Sequence, residues 1–94
     1  MGSLTLDSIL MTNASAKLRK ETFGFLLVSK IAPPLCMSKD AIPIWNLCNG
    51  TRKLKEIILE LTNSFDLEAQ KVAEEKILNV IKVLLNHGLL IMKE

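Results

Sequence analysis

The chain of 94 residues is poor in the groups from which active sites are built. It has one histidine, His87, and two cysteines, Cys36 and Cys48, which show no CxxC spacing. No Ser-His-acid set, zinc site or disulfide framework can be assembled from them. Its four glycines never approach GxGxxG or a P-loop, so nucleotide binding has no footing. Only two residues are arginine, Arg19 and Arg52, and the formal charge is +2. The concentrated positive field that nucleic-acid binding needs is missing. Long apolar runs are missing too: residues 23–28 and 83–85 fall far short of the roughly 18 residues of a membrane span. Met1-Gly2-Ser3 resembles an acylation start, but Leu6 stands where Ser or Thr is wanted. The sequons at Asn13 and Asn49 follow nothing like a secretory signal and are read as chance. A reducing cytoplasm fits the cysteine usage, and no metal, cofactor, membrane or nucleic-acid partner is expected.

Hydrophobic residues are plentiful at 49%, enough to fill the core of one small domain. Residues 1–16 mix Ser, Thr and Asn with scattered Leu, Ile and Met and have neither a helical nor a strand period. They read as a flexible or loosely docked arm, in which residues 4–11 pack on a neighbour or pair as a strand. The ordered domain is then 17–94. Charges around Leu18 suit a first strand over 17–22, and residues 23–28 run apolar on both parities, as a central strand does. Pro34 cannot donate a ladder hydrogen bond, so the strand it opens, 34–38, belongs at a sheet edge. Alternation puts Leu35 and Met37 on one face and Cys36 and Ser38 on the other.

Pro43 is tolerated only in a helix's first turn, which puts the N-cap of a short helix near Asp40 and its left-handed stop at Asn49-Gly50. Trp45 in this helix is a core anchor. A second helix starts near Lys53 and buries Leu54, Ile57, Ile58, Leu61 and Phe65. A third, 68–87, points Ala73, Ile77, Val80, Ile81 and Leu84 inward and stops at Gly88, with His87 beside the helix dipole. Residues 89–92 return as a short strand or pack. Strands grouped before helices predict an α+β domain, a three-stranded antiparallel sheet followed by three helices in a winged-helix-like arrangement.

With no catalytic set in sight, a partner surface is what remains. The third helix carries Leu78 and Leu85 on a flank shared with Lys71, Glu75 and Lys82. Either this flank is the rim of a wide core stripe, or it lies beside the edge strand and forms a groove that suits an extended peptide.

Several short pieces occur in a family order: Phe23-Gly24-Phe25-Leu26-Leu27, Met37-Ser38-Lys39-Asp40-Ala41, Ile44-Trp45-Asn46-Leu47-Cys48-Asn49-Gly50-Thr51, Glu56-Ile57 and His87-Gly88-Leu89-Leu90. Together, over residues 17–92, the chain resembles the PqqD-like proteins, the RiPP recognition elements. The resemblance implies a winged helix-turn-helix fold without catalytic activity. It implies binding of the leader segment of a ribosomally made precursor peptide, added as a strand, and its delivery to a modifying enzyme, often a radical SAM protein. Carried onto this chain, the peptide-binding residues are Leu35, Cys36, Met37 and Ser38 on the strand and Lys71, Glu75, Leu78 and Lys82 on the helix, in a monomer or a dimer. Ser38 departs from the family's usual Asn, Pro43 enters the first helix, and Lys53 stands where Ser or Thr often supplies a cap worth about 1 kcal/mol. The turn over residues 30–33 also departs from the acidic, Gly-containing turn common in the family. The competing readings are a winged-helix DNA-binding regulator and a structural subunit that dimerises through the arm. Against the regulator, the helix that would enter DNA mixes Lys71, Lys76 and Lys82 with Glu68, Glu74 and Glu75.

Overall fold

The computed structural model describes residues 4–93. The chain is α+β, with three helices and two small antiparallel sheets. In order come β1 (Ile9–Thr12), β2 (Lys17–Glu21), β3 (Gly24–Val28), β4 (Leu35–Met37), a 3-10 turn (Lys39–Ala41), α1 (Ile42–Leu47), β5 (Asn49–Lys53), α2 (Leu54–Thr62), α3 (Leu67–Asn86) and β6 (Leu90–Lys93). One sheet has the order β2-β3-β4 and the other β5-β1-β6. The expected single sheet ahead of the helices is thus replaced by two, because β5 interrupts the helices and β6 follows them.

Residues 9–12, within the stretch read as an arm, take the strand alternative given for residues 4–11: they form the middle strand of the second sheet. β1 pairs with β5 through Ile9↔Lys53 and Met11↔Asn49, and with β6 from Ile9↔Lys93 to Thr12↔Leu90. Leu10 is fully buried in the core. The segment just before β1 also serves α2. The N–H groups of Leu54 and Lys55, which an isolated helix leaves without acceptors, donate to the carbonyls of Ser8 (2.8 Å) and Leu6 (2.9 Å). Lys53 has no side-chain acceptor to offer as a cap, but its own N–H donates to Glu56 Oε1 at 2.9 Å, one half of a capping box. Asn13 closes the far end of β1. Its N–H donates to Leu89 O (2.9 Å) and its Nδ2 to Gly88 O (3.1 Å), while its Oδ1 accepts from Ser15 N and Oγ, both at 2.9 Å.

Helix ends differ from expectation in one case and agree in another. Asp40 does not cap the first helix: Ser38 precedes the 3-10 turn and Ala41 precedes α1, neither with a side-chain cap, while Pro43 sits in α1's first turn as required. Gly50 does have positive φ (+85°), but within β5, where the pairing with β1 shifts register and an added Cβ would meet Met11 Cβ at 3.3 Å. Gly88 is the expected stop of α3. Leu89 N–H reaches Leu84 O at 2.9 Å and Gly88 N–H reaches Leu85 O at 3.0 Å, a Schellman ending sealed by buried Leu84 and Leu89. Asp66 caps the other end of α3, accepting from Ala69 N–H at 2.8 Å, and His87 Nδ1 lies 2.8 Å from the Val83 carbonyl.

One core joins both sheets to all three helices: Leu10 of β1, Leu27 and Met37 of the other sheet, Trp45, Ile57, Ile81 and Leu84 of the helices, and Cys48. Trp45 is the anchor expected, whereas Phe65 falls beyond α2 and is exposed, as is Phe23 at the β2-β3 turn. Burial pushes the Cys48 thiol up from 9.0 to about 12, since the apolar interior disfavours the thiolate.

Two predictions follow from this core. Leu10→Ala should cost about 2–5 kcal/mol in urea unfolding, the range of a buried Leu truncation; a loss under about 0.5 kcal/mol, the size of an ordinary surface change, would return residues 9–12 to an accessory arm. Cys48 keeps its proton in the fold where the unfolded chain gives it up. Its contribution is complete below pH 9.0 and is lost as pH rises toward about 12. The urea midpoint should therefore fall between about pH 8 and about pH 10.5, and Cys48→Ala, though less stable, should flatten that decline.

Candidate functional site

Among the described residues β4 is an edge: it pairs with β3 alone, through Phe25↔Met37, Leu26↔Cys36 and Leu27↔Leu35. Which of its backbone groups face outward follows from Pro34. Hydrogen bonds in an antiparallel ladder alternate, and if the Leu26↔Cys36 pair exchanged them, the next bond would need an N–H on Pro34. Proline has none. Leu35 and Met37 therefore bond to β3, and Cys36 turns its N–H and C=O to the open side. The two-residue turn Thr22-Phe23 gives the same phase, because it makes Glu21↔Gly24 the first bonded pair of β2 and β3. The side chains alternate as the sequence requires, with Met37 buried, Leu35 half-buried and Cys36 exposed.

Facing this edge is the side of α3 that carries Asn79, Val80, Val83 and Leu84, and between them runs a groove of about 330 Å3. Leu35, Cys36, Met37 and Ser38 line its other wall, so the four strand residues singled out from sequence do share one site. The four helical ones do not join them. Lys71, Glu75, Leu78 and Lys82 line neither this groove nor the larger one beside it. Each stands one residue before a member of the groove-facing row, so they project about 100° away around α3. Leu78 and Leu85 are half-buried against the core, as the wide-stripe reading has it. The helical wall is instead the row Val72, Lys76, Asn79 and Val83, at spacings of four, three and four. Two exposed valines outside the inward stripe were the signal for it. Choosing between two apolar flanks required knowing on which side of α3 the strand edge lies.

The larger groove, about 760 Å3, lies between α1 and the first half of α3. Pro43 and Ile44, Leu61 and Phe65, and Val72 and Ala73 form its apolar lining, with Asp40 and Lys76 among its polar residues. The two grooves share Ser38, Ala41, Asn79 and Val80 and so form one trough. The remaining titratable candidates are dispersed. Cys36 is exposed on the edge, Cys48 is buried and held neutral, and His87 sits at the C-terminal end of α3. Among the described residues no three of His, Cys, Asp and Glu come together as metal ligands, and no helix is long and apolar enough to cross a membrane. What the trough offers is a backbone donor and acceptor on one wall and apolar side chains on the other.

Comparison with known proteins gives one finding. A family model described as coenzyme PQQ synthesis protein D (PqqD) matches residues 37–90, from the last residue of β4 to the start of β6. No curated protein and no solved structure matches. The match leaves out β1, β2 and β3, the strands through which the edge is held, and takes in α1, α2, α3 and the whole helical wall of the trough. Since it covers more than half of its length, the chain belongs to the PqqD family.

Proposed function

We propose that this protein is a non-catalytic peptide-binding protein that takes the leader segment of a ribosomally synthesised precursor as an added strand along β4, beside α3, and delivers it to a modifying enzyme, often a radical SAM protein in relatives. The observation that carries this reading is the phase of β4: Cys36 presents a free N–H and C=O at the lip of a trough whose opposite wall is mainly apolar, with Lys76 and Asn79 among its valines. That is the combination strand addition uses, with main-chain bonds for affinity and side-chain pockets for choice. Membership of the PqqD family supports a role in peptide-modification biosynthesis. In the winged helix-turn-helix reading of the fold, β4 and α3 are the strand and helix that hold the peptide. The helical contacts pass from Lys71, Glu75, Leu78 and Lys82 to Val72, Lys76, Asn79 and Val83. A soluble cytoplasmic protein, monomeric or dimeric, suits this role.

The test is a titration of the protein against its co-encoded precursor peptide and against duplex DNA at two salt concentrations. Peptide binding without DNA binding is expected. DNA binding with a steep salt slope and no peptide affinity would overturn the proposal in favour of a regulator. Cys36→Pro removes one outward donor and no bond to β3, so the variant should fold as the native chain does. One hydrogen bond is worth about 0.5–1.5 kcal/mol net, so its peptide affinity should fall about two- to tenfold. Unchanged affinity would mean that the edge is not used.

A further inference from the structure

The first sheet has two open edges, and the strand-addition reading uses only β4. β2 (Lys17–Glu21) is the other, paired among the described residues with β3 alone. Its phase is fixed by the same two-residue turn, Thr22-Phe23. With Glu21↔Gly24 bonded, Arg19↔Leu26 and Lys17↔Val28 are bonded too, so Leu18 and Lys20 turn their N–H and C=O groups away from β3. No other backbone segment among the described residues takes them up. β2 thus offers two outward-facing residues to β4's one, yet none of its residues lines either groove. What it has in place of a pocket is charge. Residues 17–30 hold Lys17, Arg19, Lys20 and Lys30 against a single acid, Glu21, a charge of +3 in a chain whose total is +2. Lys17, Arg19 and Lys20 are all exposed, and among the described residues only Arg19 of the three has a carboxylate partner, Glu21 at 3.0 Å. Lys17 and Arg19 stand on one face of the strand and Lys20 on the other, which it shares with half-buried Leu18.

We propose that the edge of β2 is a second strand-addition site whose occupant is an acidic extended segment of the modifying enzyme. The inference rests on the delivery part of the reading above and gives it a surface. Charge decides the occupant. A second copy of β2 laid antiparallel on the first would set Lys and Arg against Lys and Arg, and like charges directly opposite destabilise a strand pair. An added strand with Asp or Glu opposite Lys17, Arg19 and Lys20 and an apolar residue opposite Leu18 makes each cross-strand pair favourable instead. A nucleic acid is served less well, since β2 has no aromatic side chain on which a base can stack. The precursor peptide is better served at β4, where the edge borders the trough. The two edges lie two strand spacings apart, roughly 10 Å, so leader, β4, β3, β2 and enzyme segment form one continuous sheet. Exposed ion pairs are weak and screened by salt, which suits a docking that has to be released after each delivery.

The test measures binding of the full chain to the modifying enzyme encoded beside it and, separately, to the co-encoded precursor peptide. Lys17→Glu with Lys20→Glu should weaken the enzyme complex at least tenfold, remove most of its salt dependence, and leave precursor affinity within about twofold. Both lysines are exposed, so an unchanged urea midpoint verifies the fold, and the neutral pair Lys17→Gln with Lys20→Gln should give a smaller loss in the same direction. Lys20→Pro removes an outward N–H that Lys20→Ala keeps, so it should bind the enzyme about two- to tenfold more weakly than Lys20→Ala does. An enzyme complex indifferent to charge reversal, or no complex at all, would overturn the inference and leave peptide binding at β4 standing. Equal affinities of Lys20→Pro and Lys20→Ala would overturn the added strand. Precursor binding that falls on charge reversal but ignores Cys36→Pro would overturn both readings, because the leader would then occupy β2. RNA binding that disappears on charge reversal, with enzyme affinity intact, would assign the patch to a nucleic acid and overturn the enzyme as its occupant.

Discussion

The structure depends on β1 being paired on both sides. Among the described residues Ile9–Thr12 is the only strand that holds β5 and β6 in one sheet, and those two come from either side of α2 and α3 in the chain. Remove β1 and each becomes a lone strand. The same segment supplies the carbonyls of Ser8 and Leu6 to the first N–H groups of α2, places Leu10 in the core, and through Asn13 fixes the turn after α3. A helix that begins at Lys53 without a capping side chain is tolerable because its orphan donors are met by another segment. Lys53 is thus a departure from the family pattern that the fold has absorbed.

From this arrangement the site follows in steps. The sheet containing β1 docks the helices, the core through Ile81 and Leu84 sets the rotation of α3, and that rotation turns Val72, Lys76, Asn79 and Val83 toward β4. Meanwhile β3, buried at Leu27, holds β4 by its bonded residues Leu35 and Met37. The trough is the gap between two elements, each fixed by its own half of the core.

What could be read from the sequence was local. Pro34 marked the edge, Pro43 the first turn of α1, Gly88 the end of α3, and the inward stripe through Ile77, Ile81 and Leu84 the buried side of that helix, because each is decided by backbone chemistry or by a period within one segment. β5 was not legible: Asn49-Gly50-Thr51-Arg52-Lys53 has no buried alternation, and it becomes a strand because β1 lies alongside with a bulge at Gly50. β1 was legible only as one of two alternatives for residues 4–11, and its partners were not, since four residues are too few to show a period. The flank of α3 singled out from sequence is not the one that faces β4, because Leu78 and Leu85 look like a surface when only their own helix is considered. All three failures concern partners distant in the chain, and the family match, confined to residues 37–90, carries no information on the strands before it.

The shortness of β4 has a consequence for the protein's own solubility. An open strand able to accept a peptide is equally able to accept the same strand of another copy, and long flat edges invite chains to stack into growing sheets. Here Pro34 ends the donor row on one side and the 3-10 turn ends the extended chain on the other, leaving Cys36 as the one residue of β4 with both backbone groups on the open side. Two copies meeting edge to edge gain a ladder of a few hydrogen bonds and nothing to extend it. A pairing that short is too weak to template polymerisation, so an open edge of this length does not draw copies of the protein into growing sheets.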